Sequence, residues 1–197
     1  AARKAVIRKL PAVETLGATS VICTDKTGTL TRNEMTVRHM IADDRSIAVS
    51  GAGYEPIGAF TAEDSEDDAS ALAEAALLIR CGLLCNDARL REDAGRWTVA
   101  GDPMEGALVA LAMKAGLSPD HLRGEWERLD EIPFDAAYRS MATLHESPDG
   151  RPVIFVKGAP EALLALSASG DGEGRDLESR IADLAAQGER VLGFARL

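Results

Sequence analysis

The side chains best placed for chemistry in this 197-residue chain are those of Asp25-Lys26-Thr27-Gly28-Thr29, directly behind the run Val21-Ile22-Cys23-Thr24. Ser20 to Thr24 reads as a brief buried strand. Lys26 to Thr29 reads as a loop whose glycine lets the backbone approach a ligand closely. A carboxylate at a strand's carboxyl end, followed by amides, hydroxyls and an ammonium, suits a nucleophile that accepts a phosphoryl group. The carboxylate attacks, Lys26 and the amides stabilise the transferred oxygens, and covalent capture splits one hard step into two. Two residues after the nucleophile stands Thr27, whose hydroxyl is a poor general base near neutral pH. An aspartyl-phosphate at Asp25 should therefore persist. The plain alternative is a polar turn without chemistry.

Further along, Gly101-Asp102-Pro103-Met104-Glu105-Gly106 opens a helix, with Asp102 as N-cap and Pro103 at the first helical position. Glu105 can simply favour the positive end of that helix. Phe134, in an expected strand Leu129 to Phe134, reads on its own as a core aromatic. Lys157 ends a strand, Pro152 to Val156, just before Gly158, and reads on its own as a solvated lysine. Arg190, at the head of an expected strand Arg190 to Ala195, reads as a surface charge.

Taken together these stretches resemble one family. Asp25-Lys26-Thr27-Gly28-Thr29-Leu30-Thr31 is similar to the phosphorylation motif of P-type ion-pumping ATPases, in which Asp25 would be the phosphorylated aspartate. The plain phosphatases of the wider haloacid-dehalogenase-like group carry a second acid where this chain has Thr27. Gly101-Asp102-Pro103-Met104-Glu105-Gly106-Ala107-Leu108 resembles a nucleotide-domain motif of the calcium and sodium–potassium pumps, whose glutamate lies near the adenine amino group. Pro133-Phe134-Asp135 ahead of Arg139-Ser140-Met141 resembles their adenine-stacking segment, with Arg139 where a lysine is common. Guanidinium is a planar fork, not a point charge. Lys157-Gly158-Ala159-Pro160-Glu161 resembles the motif whose lysine lines the nucleotide pocket, and Arg190 matches an arginine that reaches ATP phosphates.

The resemblance implies ATP and Mg²⁺ as cofactors, with Asp25 and Thr27 at the metal. It also implies a cytosolic piece of an integral membrane pump, in a bacterial plasma membrane. The partners it implies are the second half of the phosphorylation domain, the actuator and transmembrane domains, and a transported cation. Calcium is the first guess, with Na⁺/K⁺ or Mn²⁺ open. The acidic motifs that complete the phosphorylation site would lie beyond Leu197, so the fragment is expected to bind ATP without turning it over. Two other classes stay in view: a stand-alone phosphatase or phosphotransferase, and a nucleotide-binding regulatory module without chemistry.

The composition agrees with a soluble α/β-type chain: 46% hydrophobic with only 4% aromatic residues. A net charge of −10 argues against nucleic acid as a partner. No apolar window reaches membrane-spanning length. Cys23, Cys81 and Cys85 lack zinc-site spacing and read as buried, reduced thiols. The expected architecture is α+β, an antiparallel sheet flanked by helices, with the first strand of a haloacid-dehalogenase-like domain attached. Residues 1–36 would be the membrane connection, that strand and the phosphorylated loop; residues 37–197 would be the nucleotide-binding domain. Lacking its neighbours, Val21 to Thr24 is expected to be disordered or to pair with another chain's edge. Other expected elements are strands Glu34–Met40, Ile47–Val49, Arg96–Ala100 and Ser140–His145, and helices Ser70–Cys85, Pro160–Leu166 and Leu177–Ala186. Acidic Gly51–Asp68 and glycine-rich Ser167–Gly174 read as loops.

Overall fold

A computed structural model describes residues 18–21, 23–25, 29–31, 33–42, 45–166 and 173–197. The chain divides into two units, Ala1–Asn33 and Glu34–Leu197. In the first, Ser20, Val21, Cys23 and Thr24 form no strand and are exposed. This corrects both the expected buried strand and the expected burial of Cys23. The reason is one of partners: a buried strand needs hydrogen-bonded neighbours on its edges, and none of the described strands pairs with this stretch.

The second unit opens with an antiparallel three-stranded sheet, β1 (His39–Ala42), β2 (Arg45–Val49) and β3 (Phe60–Ala62), in that order. Strand β3 lies inside the stretch expected to be a loop, and Glu34–Arg38 carries no strand. The acids around it act locally. Asp64 accepts from the Ser46 amide at 2.8 Å, Asp68 from the Ala62 amide at 2.7 Å, and Asp67 caps the next helix through the Ser70 amide at 3.0 Å.

That helix is two. Segments α1 (Asp68–Glu74) and α2 (Ala76–Leu84) break at Ala75. The break sets the buried face: Ala71, Ala75 and Ile79 go inward, while Ala76 is exposed. A two-stranded ribbon follows, β4 (Arg89–Asp93) with β5 (Arg96–Ala100). Then comes α3 (Pro103–Lys114), whose N-cap Asp102 accepts from the Met104 and Glu105 amides at 2.8 and 3.3 Å. Every residue from Glu105 to Ala112 is buried, so α3 is a central helix without a wet face. Ser118 caps the short α4 (Pro119–Glu125).

The remaining strands form one antiparallel sheet in the order β6 (Glu127–Asp135), β7 (Ser140–Glu146), β8 (Pro152–Gly158) and β9 (Gly193–Arg196). Strand β9 starts three residues later than expected. Between β8 and β9 lie α5 (Pro160–Leu166) and α6 (Glu173–Ala186), the latter taking in Gly174 from the expected loop and stopping at Gly188, φ +84°. Alternation along β7 and β8 sends Met141, Thr143, His145, Phe155 and Lys157 to the face that meets the buried helices. Phe155, fully buried, anchors that face against Trp126 and His145, each ring centroid 5.6 Å away.

Candidate nucleotide site

Five of the sequence-nominated residues, Glu105, Phe134, Arg139, Lys157 and Gly158, gather at one end of the four-stranded sheet. The registers run Asp135–Ser140–Gly158–Gly193 in one row and Met141–Lys157–Phe194 in the next. On the edge strand β6, pairing skips from Ile132 to Asp135, so Pro133 and Phe134 together oppose Met141. This is a β-bulge at a proline that has no ladder hydrogen to give. The bulge turns Phe134 outward, where it is 63% exposed beside the buried Met141. A core role for Phe134 is thereby excluded.

Lys157 is the opposite surprise. It is 3% exposed, so the solvated reading fails, and its Nζ donates to Glu105 Oε1 at 2.6 Å. Glu105 Oε2 accepts from the Asp87 amide at 3.1 Å. Both carboxylate oxygens therefore have a donor, and lone pairs remain for a further one. The pair stands at the N-terminus of α3, where the helix dipole also favours the carboxylate. Glu105 is thus held both by the start of α3 and by Lys157.

Gly158 is required by space. A Cβ there would meet the Arg139 carbonyl oxygen at 2.5 Å and Ser140 Cβ at 2.6 Å. Arg139 itself adopts left-handed φ +53°, its amide donating to the Asp135 carbonyl at 2.7 Å and its carbonyl accepting from Ala159 at 2.9 Å. Its guanidinium pairs with Glu161 at 2.6 Å on the exposed rim. Arg190 is exposed, three residues before Gly193 joins the row of Gly158. Asp25, in the first unit, is exposed, and Lys26 and Thr27 lie outside the described residues. Among the described residues there is no group of three or more His, Cys, Asp or Glu side chains that could hold a metal ion.

Sequence reading missed the support behind Glu105. Asn86, 1% exposed, donates through Nδ2 to the carbonyls of Gly82 (3.0 Å) and Glu105 (2.9 Å) and accepts from the Ala88 amide at 2.8 Å. Arg128 Nη2 donates to the carbonyls of Leu84 and Asn86, both at 2.9 Å, and its Nη1 to Asp87 at 2.6 Å. Arg123 bonds the Ala88 carbonyl at 2.9 Å. The local signal was the polar Asn86-Asp87 pair at a helix end, which reads equally as a turn. Beneath it, Cys81 and Cys85 are buried free thiols. Burial, then the neighbouring Cys85, pushes the Cys81 thiol up to about 12, and burial also raises Cys85.

The family model for the P-type ATPase cytoplasmic domain N matches residues 74–197. A cation-transporting ATPase, pma1, of Synechocystis is 46% identical over 209 residues, covering 100% of this chain and 23% of the relative. A calcium-transporting ATPase of Bacillus subtilis is 40% identical over 84% of this chain and 19% of its own length. Calcium-transporting ATPase type 2C member 1 of Bos taurus is 39% identical over 98% and 21%. The chain thus spans about a fifth to a quarter of the length of these curated relatives.

Proposed function

Because the chain belongs to the P-type ATPases, with residues 74–197 matching their cytoplasmic domain N, we propose that it binds ATP at the end of the β6–β9 sheet and serves an ATP-driven cation pump. The observation that carries this reading is the buried Lys157–Glu105 pair together with the outward-turned Phe134, two strands away at the level of Lys157. A flat exposed aromatic and a carboxylate acceptor at one end of the sheet suit a purine with an exocyclic amino group. Phe134 stacks on the base, and Glu105 accepts from the amino group. Lys157, committed to Glu105, holds that carboxylate in place. Gly158 lets β7 and β8 close up beside Lys157, while Arg139 and Arg190 serve the phosphates.

In the whole protein, the γ-phosphoryl group passes to Asp25, with Lys26 and Thr27 beside it and Mg²⁺ arriving on the nucleotide. The phosphorylated loop belongs to a haloacid-dehalogenase-like domain that residues 1–36 begin, and residues 37–197 are the nucleotide-binding domain. The pump sits in a bacterial plasma membrane with this part in the cytosol, and its cation is Ca²⁺ before Na⁺/K⁺ or Mn²⁺. The names of the bacillary and bovine relatives support calcium. No helix among the described residues is long and apolar enough to cross a membrane.

Calorimetry or NMR titration with ATP tests the site. Millimolar to sub-millimolar binding is expected. It should be lost in Lys157→Ala and weakened in Phe134→Ala by about 1–3 kcal/mol, the worth of one base–aromatic stack. Binding that ignores both changes would move the site elsewhere, and no binding by the folded chain would reject the reading. The chain alone should not turn ATP over; a Mg²⁺-dependent ATPase activity that disappears in Asp25→Asn would contradict this.

A further inference from the structure

We propose that Asn86 is a positioning residue for base recognition, holding Glu105 so that its carboxylate reads the amino group of adenine. The inference rests on the nucleotide reading above and adds residues that touch no nucleotide. Its observation is a closed bracket. The Asn86 amide group bridges the last turn of α2, at the Gly82 carbonyl, to the first turn of α3, at the Glu105 carbonyl. Its oxygen holds the Ala88 amide, which fixes the turn in which Asp87 presents its own amide to Glu105 Oε2. Backbone and side chain of Glu105 are therefore both set from the same two-residue turn.

Arg128 locks that turn from outside through three acceptors: the Leu84 carbonyl, the Asn86 carbonyl and the Asp87 carboxylate. Arg128 and Phe134 share strand β6. The strand that presents the stacking ring is thus tied directly to the turn that aims the acceptor. A stack accepts any base. Discrimination must come from the acceptor, and a charged acceptor favours a donor at the base's position 6 over a carbonyl there.

Inosine triphosphate differs from ATP at position 6, where it carries a carbonyl, and at the adjoining ring nitrogen, so the ratio of ATP to ITP affinity reads the aim of Glu105. The folded wild-type chain should prefer ATP roughly tenfold or more, the scale of one hydrogen bond to a charged group. Asn86→Asp keeps shape but turns two donors into acceptors facing the Gly82 and Glu105 carbonyls, and the ratio should fall to about one. Arg128→Met, at a half-buried position, should lower it in the same direction and decides the matter if Asn86→Asp does not fold. A purely structural role would weaken both nucleotides alike and leave the ratio in place. A folded variant that keeps the wild-type ratio overturns the proposal. Equal wild-type affinity for ATP and ITP overturns it too while leaving nucleotide binding intact. A wild-type chain that binds neither removes the nucleotide reading and this inference with it.

Discussion

Replacing Lys157 by methionine keeps the apolar stem and removes the ammonium from a carboxylate whose side chain is only 12% exposed. At 2.6 Å and an effective dielectric constant near 20, the attraction lost is about 6 kcal/mol in gross terms. Desolvation of the two ions, several kcal/mol each, opposes it, so the intact pair contributes little net stability. Breaking it from one side is a different matter. The surviving charge stays buried without its partner, at a cost of about 3–5 kcal/mol. Lys157→Met and Glu105→Gln should each lose that much in urea unfolding, moving the midpoint by about 2 M at a slope of about 2 kcal/mol/M. The double variant should lose no more than either single one, because neither charge is then stranded. In this background the side-chain carbonyl oxygen left by Glu105→Gln still accepts from the Asp87 amide. Coupling between the two positions of at least about 3 kcal/mol is expected. Additive losses, or single losses under about 0.5 kcal/mol, would show that the pair is solvated and would refute the reasoning.

Three further outcomes follow from the packing. Gly158→Ala drives a methyl group into the backbone of Arg139 and Ser140, which cannot yield without parting β7 from β8; unfolding should show a loss of about 1–3 kcal/mol, and an unchanged midpoint would contradict the close approach. A thiol reagent at pH 8 should label Cys23 rapidly and Cys81 and Cys85 only after unfolding, since burial raises both thiols and Cys23 alone is exposed; prompt labelling of all three would mean that the core opens readily. His145 is held neutral, chiefly by burial and secondarily by nearby Arg128, against the opposing Trp126 carbonyl contact. Its folded value lies below the unfolded one near 6.5. The unfolded chain therefore takes up the proton first, and stability present above about pH 6.5 is lost as the pH falls toward the folded value. His145→Gln should flatten that slope in a series of unfolding curves, and an unaltered slope would place the titration elsewhere.

Legibility in the sequence followed the range of the forces involved. The start of α3 at Asp102-Pro103, the stop of α6 before Gly188 and the paired strands β7 and β8 are written locally, in caps, φ preferences and alternation. The Ser118-Pro119 pair signals α4 in the same way as Asp102-Pro103 signals α3. Strands β3 and β4 carry no such mark: Arg89–Asp93 is largely charged and holds as a strand only because β5 pairs with it. The break at Ala75 is equally silent, an alanine at a helix joint, decided by which residues the core could take. At the candidate site, the sequence nominated residues but did not show their environments. Nothing beside Lys157 in the chain says that Glu105 waits 52 positions earlier to take its charge, and nothing beside Phe134 says that a bulge will expel it.

That separation of 52 positions has a consequence for how the molecule matures. Glu105 stands on α3 and Lys157 on β8, so the pair exists only once helix and sheet have docked. On the proposed nucleotide reading, a half-folded chain would offer the base nothing to grip, and nucleotide would stabilise only the finished one. With a ligand concentration comparable to its dissociation constant, the gain is a fraction of a kcal/mol, RT ln 2 being about 0.4 kcal/mol. A weak site of the proposed kind would report completed assembly without trapping incomplete forms.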